Sequence, residues 1–453
     1  MPSKDRLQTS SRNPRGRTWT SLRVLYNLFL LVLGAGCFCW LAPLVRLKAK
    51  RRATFGPRMG WCAYAWEGQG VPDQGRRIWI HALSVGEVTA SQAMVRHLLA
   101  KGDHSLFLSA STLSGYQTAR RLYAGLPVRL AYFPYDWLWA VRAVASKIKP
   151  DLALLVETDI WPNFIWEMER RGVPVCLANI RLSDQAWRWY RRLAPVAKVL
   201  FGGFARIAVQ TEKDRRRILH LGIDPARVCV TGNIKFDVRY APPGHDAVTT
   251  LGATLKGFPG LKVFVAGSTH EGEETFLVQT LVRVKRRQPG VLLIIAPRDP
   301  GRAGRILKLS AEQGIMAHRM SNPDLVDRIL PGHLVVVDSL GLLMDLYSLS
   351  DLAYVGGSLV SQGGHNPLEP AACAKPVLFG PDMRDFRQIA AWLIRGGGAR
   401  QVDAVETLTS AAAALLSDDE LARDMGERAR QVYLGHRGAV ERTLACFGLI
   451  DGA

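Results

Sequence analysis

Acidic residues are scarce in this 453-residue chain: 39 Asp and Glu stand against 59 Lys and Arg, a formal charge of +20. That shortage favours anionic partners, among them phosphates, nucleic acid or a membrane surface, without choosing between them. Cysteine is sparse too. The seven residues, Cys37, Cys39, Cys62, Cys176, Cys229, Cys373 and Cys446, are odd in number and never spaced C-x-x-C. The pattern predicts neither a zinc site nor a disulfide framework, and it fits a reducing compartment. A P-loop GxxxxGK[ST], an HExxH pair, a GxSxG elbow and an Asp-x-Asp pair are all missing. Their absence disfavours P-loop NTP hydrolysis, zincin proteolysis, α/β-hydrolase chemistry and metal-held nucleotide-sugar transfer, which makes metal-independent chemistry the expectation. What the chain does have is 48% hydrophobic and 22% charged residues. Bulk disorder is excluded, and the length suits two or three domains with sizeable cores.

Residues 24–45 read VLYNLFLLVLGAGCFCWLAPLV and carry no formal charge. About 22 residues at about 1.5 Å each cross a hydrocarbon core of about 30 Å, so a transmembrane anchor is expected behind a basic arm over 1–23. The run is longer than the apolar region of a cleaved signal peptide and lacks a clear A-x-A site. Basic residues flank it on both sides, with Lys4, Arg6, Arg12, Arg15, Arg17 and Arg23 before and Arg46, Lys48, Lys50, Arg51 and Arg52 after. Charge asymmetry therefore leaves the orientation open.

Beyond Gly75, apolar runs alternate with amphipathic helical stretches. The first series is 77–84, 104–111, 128–133, 151–158, 173–179, 205–211 and 227–233; the second is 261–268, 291–297, 334–339, 351–357 and 376–381. Strand, helix, strand at this spacing predicts doubly wound parallel sheets. Between the series lies APPGHDAVTTLGATLKGFPG (241–260), rich in breakers, which is read as a linker. The expected fold is thus α/β, with an N-terminal domain over 46–240 and a C-terminal domain over 261–453, two Rossmann-like halves facing a cleft. Ligands in such sheets sit beyond the carboxyl ends of the strands, and chemistry is sought there.

In DLAYVGGSLVSQGGHNPLEPAACAKPVLFGP (351–381) a strand runs into a glycine loop, after which Asn366 can cap a helix with Pro367 first and Glu369 third. Free amides there, with Gly363 and Gly364 permitting close approach, suit an anion or ribose phosphate; the bland alternative is a well-capped structural helix. HALSVGE (81–87) sets Glu87 near a helix start, where a carboxylate can take a proton from a hydroxyl or simply favour the helix dipole. ETDIWPN (157–163) puts Glu157 at a strand end, and TGNIKFD (231–237) puts Lys235 just past another. A lysine alone is a weak signal, since most are solvated. APRDP (296–300) sets Arg298 at a strand end, where paired guanidinium hydrogen bonds suit a phosphate.

Together with YFPYD (132–136), ANIRLS (178–183), GSTHEGEE (267–274), DSLGLLMDLY (338–347) and LFGP (378–381), these segments resemble the 3-deoxy-D-manno-octulosonic acid (Kdo) transferases of lipopolysaccharide synthesis. The resemblance implies a GT-B fold, an inner-membrane anchor and transfer of Kdo from CMP-Kdo to a lipid A precursor, lipid IVA, by metal-independent inversion. It implies no cofactor beyond the CMP-Kdo donor, and as partners the donor, the lipid acceptor and inner-membrane lipids, with no nucleic acid. By the same resemblance Glu87 is the base, and Glu157 and Lys235 support the transition state. Pro297, Arg298, Leu340, Gly341, Leu342, Asn366, Pro367, Leu368 and Glu369 hold CMP. Two positions depart from the family: Leu342 replaces a glutamate, and Asp299 replaces a histidine. Because CMP-activated sugars are made in the cytoplasm, the body is expected on that side. Alternatives are another GT-B transferase acting on a membrane lipid, or a membrane-tethered binder of anionic ligands without turnover.

Overall fold

The computed structural model describes residues 21–33, 49–61, 75–102, 104–157, 160–240, 242 and 244–451. The chain divides into two compact units, Met1–Val238 with Arg437–Ala453, and Arg239–His436.

Seven parallel strands make the sheet of the first unit: β1 (Arg76–His81), β2 (His104–Ala110), β3 (Val128–Tyr132), β4 (Leu152–Val156), β5 (Val175–Ile180), β6 (Arg206–Val209) and β7 (Val228–Val230). Their order is β3-β2-β1-β4-β5-β6-β7. Helices cover both faces, so successive residues of one strand enter opposite core layers. Ile78, Ile80, Leu106, Leu108, Leu152 and Leu154 pack on one side with the helix Val85–Ala100. Trp79, Phe107, Ala153 and Leu155 pack on the other with Phe133 and Phe164. The chain winds outward from β1 to β3 and returns to β4 beside β1. The direction of winding therefore reverses between β1 and β4, the crevice where such sheets take ligands.

The second unit repeats the plan with β8 (Lys262–Thr269), β9 (Val291–Pro297), β10 (Ala317–Arg319), β11 (Leu334–Val336), β12 (Leu352–Val355), β13 (Val377–Phe379) and β14 (Ala399–Gln401). The order β10-β11-β9-β8-β12-β13-β14 places its reversal between β8 and β12. Twelve of these fourteen strands fall in the apolar runs of the sequence. The other two, β10 and β14, are three-residue edge strands, AHR and ARQ, with little buried surface and hence no apolar signature.

Three expectations are corrected. The stretch read as a linker contains the helix Asp246–Leu255, whose Val248, Leu251 and Leu255 pack into the core of the second unit. The C-terminal segment does not stay with the second unit: Ala439, Val440, Leu444, Phe447 and Leu449 join the core of the first. Cys229 on β7 and Cys446 in the helix Ala439–Cys446 form a disulfide, where none was expected. Cys176 is a buried free thiol and Cys373 a partly buried one, while Cys37, Cys39 and Cys62 lie outside the described residues.

The expected anchor over 24–45 falls only partly within the described residues and finds no support there. Among the described residues no helix is long and apolar enough to cross a membrane. Residues 21–33 are helical, about 20 Å at the usual rise, and the remainder of the expected span, 34–45, lies outside the described residues, as does the arm over 1–20. Within 21–33 one face meets the first unit through polar groups. Tyr26 Oη donates to Asp136 Oδ2 at 2.8 Å, and the Asn27 and Asn163 side chains exchange two hydrogen bonds. The other face exposes Val24, Leu25, Leu28, Phe29 and Val32.

Candidate active site

In the first unit the sheet positions three of the expected residues around the reversal point. Glu87 follows β1 in the first turn of the helix Val85–Ala100, and Glu157 follows Val156, the end of β4, which pairs with β1. Glu87 is nearly buried, its Oε2 accepting from the Leu83 amide at 2.5 Å and its Oε1 from the Ser84 hydroxyl at 3.1 Å. Those bonds close the helix start, so the structural role weighed against catalysis is real, and it also fixes the carboxylate. Glu157 has φ +63, a left-handed conformation that turns the chain sharply off the strand.

Lys235 is not the solvated cation that base expectation favours. Its Nζ lies 3.0 Å from Glu157 Oε1, both side chains being mostly covered. The short helical turn Ile234–Asp237 that carries Lys235 is capped by Asn233, whose Oδ1 accepts from the Lys235 amide at 3.0 Å, and it packs on the helix of Glu87. Asn179, at the end of β5 and likewise at positive φ, ties the parts together. It donates to Glu157 Oε1 at 3.5 Å and accepts from the Ile234 amide at 3.1 Å. Asn179 sat inside a motif segment without being singled out. A strand-terminal Asn, one of the few residues that tolerates left-handed backbone, was the available signal.

In the second unit, Pro297 ends β9 and Arg298 follows it, exposed, with no ion pair among the described residues. Asp299 does not compete for that guanidinium: its Oδ1 accepts from the Gly301 amide and caps the turn Pro300–Arg302. Leu340 is exposed and Gly341 takes φ +99, but the Leu342 side chain lies in the core against Leu346 and Val335. Of these three, only Leu340 and Gly341 present surface to a ligand.

The helix after Asn366 is short and starts one residue later than expected, Leu368–Ala372 with Pro367 rather than Asn366 at its cap position, and both Pro367 and Leu368 are buried. Asn366 Oδ1 accepts from the Leu368 amide at 3.2 Å, while its Nδ2 donates to Glu369 Oε1 at 3.3 Å and Tyr240 Oη at 3.0 Å. The capping bonds are therefore largely internal, and a single five-residue helix offers little dipole to an anion. Burial raises Glu369 to about 7, against bonds from Asn366 and the charge of Arg298 that favour its ionised form.

Two residues outside the expected set organise this end of the sheet. His270, after β8, and His365, in the loop after β12, lie Nε2 to Nε2 at 2.8 Å. They stand 95 residues apart in sequence, and only the fold brings them into contact. Among the described residues no group of three His, Cys, Asp or Glu side chains is arranged to hold a metal.

Two doubly wound parallel-sheet units, the first with an acid and an acid–lysine pair at its reversal point, make an α/β architecture whose structural neighbours are GT-B-like. The same architecture appears in UDP-GlcNAc 2-epimerase from Neisseria meningitidis bound to UDP-GlcNAc, with a TM-score of 0.57 at 13% identity over 83% of this chain and 100% of that one. A glycosyltransferase from Rickettsia africae gives 0.54 at 11% identity over 83% and 98%. Sequence comparison narrows the class. Residues 53–238 match the family described as 3-deoxy-D-manno-octulosonic-acid transferase (kdotransferase). The 3-deoxy-D-manno-octulosonic acid transferase of Haemophilus influenzae is 30% identical over 93% of this chain and 97% of its own length, and that of Bordetella pertussis is 31% identical over 81% and 86%. This chain belongs to the Kdo transferase family and is a glycosyltransferase.

Proposed function

We propose that the chain transfers Kdo from CMP-Kdo to a lipid A precursor, by inversion and without a metal, at the inner membrane. The observation that carries the reading is the first unit's reversal point, where a fixed carboxylate, Glu87, follows β1, the neighbouring strand β4 ends at Glu157, and the turn carrying its partner Lys235 packs on the helix of Glu87. In the proposed reaction Glu87 takes the proton of an acceptor hydroxyl, whose oxygen attacks the anomeric carbon while the bond to the CMP phosphate breaks. Positive charge developing at that carbon is adjacent to the Kdo carboxylate, and Lys235, oriented by Glu157, supplies a cation for an anionic group of the substrates. Arg298 serves the phosphate, with Pro297, Leu340, Gly341 and the Asn366–Glu369 segment around the nucleotide. Leu342 contributes packing behind them rather than contact.

A chain of net charge +20 suits a phosphorylated, acylated acceptor. The exposed apolar face over 24–32 and the basic residues Arg46, Lys48, Lys50, Arg51 and Arg52 suit the bilayer that holds it. The Cys229–Cys446 disulfide removes cysteine chemistry as a support for a cytoplasmic body; that assignment rests on where CMP-activated sugars are made.

The test incubates the purified full chain with CMP-Kdo and lipid IVA and weighs the lipid product. A mass gain of one or more Kdo units, undiminished by EDTA, is expected. No gain overturns the substrate assignment, and a gain lost with EDTA and restored by magnesium overturns metal independence. Protease added to sealed spheroplasts should spare residues beyond Arg52; their digestion places the body outside.

A further inference from the structure

The reversal point of the second sheet lies between β8 and β12, and each strand delivers one histidine beyond its carboxyl end. His270 follows Thr269, the last residue of β8; His365 closes the glycine loop after β12. Their Nε2 atoms are 2.8 Å apart and their rings are parallel within 5°, with centroids at 5.1 Å. The scaffold is built around this contact. Glu273, wholly buried, accepts the His270 amide at 2.9 Å and the Gly357 amide at 2.7 Å on one oxygen, Oε2, which locks the two loops to each other. Its Oε1 takes the Tyr354 hydroxyl and the Ser358 and Leu359 amides. Gly357, at φ +68, leaves room for the rings, since a Cβ there would lie 3.0 Å from His365 Cδ2 and 3.4 Å from His270 Cδ2.

Two neutral imidazoles joined Nε2 to Nε2 share one bridging proton, which leaves one Nδ1 as a donor and the other as a lone pair. Neither Nδ1 has a hydrogen-bond partner among the described residues. One more proton makes both Nδ1 atoms donors and keeps the bridge. Burial first, then the neighbouring His270 and Arg298, opposes that proton and holds His365 down to about 4. An entering oxyanion offsets the charge of Arg298 and welcomes the added proton. The charged groups around the pair are Arg298 at the end of β9 and Glu273, whose carboxylate is spent on loop amides.

We propose that His270 and His365 form a proton-linked receptor for an oxyanion of the donor, phosphate or sugar carboxylate, taking one proton from solvent as the anion binds. The inference rests on the reading of the second unit as the donor-binding unit. One proton taken up makes affinity fall by about tenfold per pH unit over the range in which the free pair is neutral and the bound pair charged.

Isothermal titration of the full chain with CMP, Kdo and cytidine at a series of pH values from about 5.5 to 8, in two buffers of different ionisation enthalpy, counts the protons taken up across the range. Uptake with CMP assigns the phosphate, uptake with Kdo assigns the carboxylate, and cytidine, having neither, should show none. His270→Gln and His365→Gln should bind CMP several-fold more weakly with the uptake abolished, a readout that loss of mere packing does not move. Uptake unchanged in both variants belongs to the ligand's own phosphate and overturns the proposal, as does wild-type binding of CMP and Kdo with no uptake at all. The wild-type count stands alone if a variant fails to fold. Failure of CMP to bind would instead overturn the donor reading itself.

Discussion

Glu87 receives two hydrogen bonds that hold its carboxylate in place at the start of a helix, and this double duty shapes what its replacement does. Glu87→Gln keeps the shape but cannot take a proton. Turnover should fall by about 10²–10⁴-fold with CMP affinity nearly intact, while the melting temperature drops only slightly because a cap contact is worth about 1 kcal/mol. Steady-state kinetics beside nucleotide titration separates the two, and wild-type turnover would remove Glu87 from the mechanism. Lys235 teaches a different lesson. Read from sequence it is an ordinary surface cation; in the fold it is one half of an ion pair whose other half, Glu157, stands 78 residues away in numbering and 3.0 Å away in space. Lys235→Met should lower turnover and leave Glu157 as an uncompensated carboxylate. The double variant Lys235→Met with Glu157→Gln should recover stability but not activity, measured by melting and by product formation.

The helix Pro162–Arg170 shows how an element depends on residues remote from it. Its first amides, Asn163 and Phe164, donate to Asp136 at 3.0 and 2.9 Å, a cap supplied from the loop after β3. Burial raises Asp136 to about 7 despite those bonds. At its other end, Glu167 is buried and surrounded by Arg142, Arg170 and Arg171. Burial alone would raise that carboxyl, but the three guanidinium groups win and bring it down to about 2. A lowered value means the ionised form stabilises the fold above the ordinary pKa, and the benefit is lost as pH falls toward 2. Glu167→Gln should therefore destabilise the chain by about 2 kcal/mol at pH 7. The deficit should shrink between about pH 4.5 and pH 2, as urea melts across that range would record; a deficit constant with pH would exclude the charge from the explanation. Neither the Asp136 cap nor the arginine cluster as a whole was legible beforehand. The start of the helix is legible, since Pro162 suits a first helical position.

At the scale of the whole chain the C-terminal return is the decisive feature. Residues 437–453 complete the core of the first unit, and Asp237 holds their start by accepting from the Gly438 and Val440 amides. Cys446, bonded to Cys229, ties the helix to β7 across 217 residues of sequence. Ending the chain at His436 should expose Ile78 and Leu106 layers to water and give insoluble protein. Cys446→Ser should fold but lose about 2–4 kcal/mol, and peptide mapping without reductant should show the linked Cys229 and Cys446 peptides in the parent chain. Absence of that linked species from protein purified without reductant would contradict the pairing.

The sequence by itself determined the two parallel sheets, because a strand buried on both faces must be apolar along its whole length, as LALLV and VLLII are. It likewise placed Glu87, Glu157, Lys235 and Arg298 at strand ends, since a strand stops where its apolar run stops. Only the tertiary structure decided which of these ends meet. Strand order, not position in the chain, sets β12 beside β8 and so joins His270 to His365, while the turn after β7 packs on the helix Val85–Ala100 and brings Lys235 to Glu157. It also consigned Leu342 to the core, gave the supposed linker a packed helix, and sent the last residues back to the first unit. Each of those outcomes depends on apolar surface finding a complementary surface far along the chain, and local pattern carries no record of that pairing.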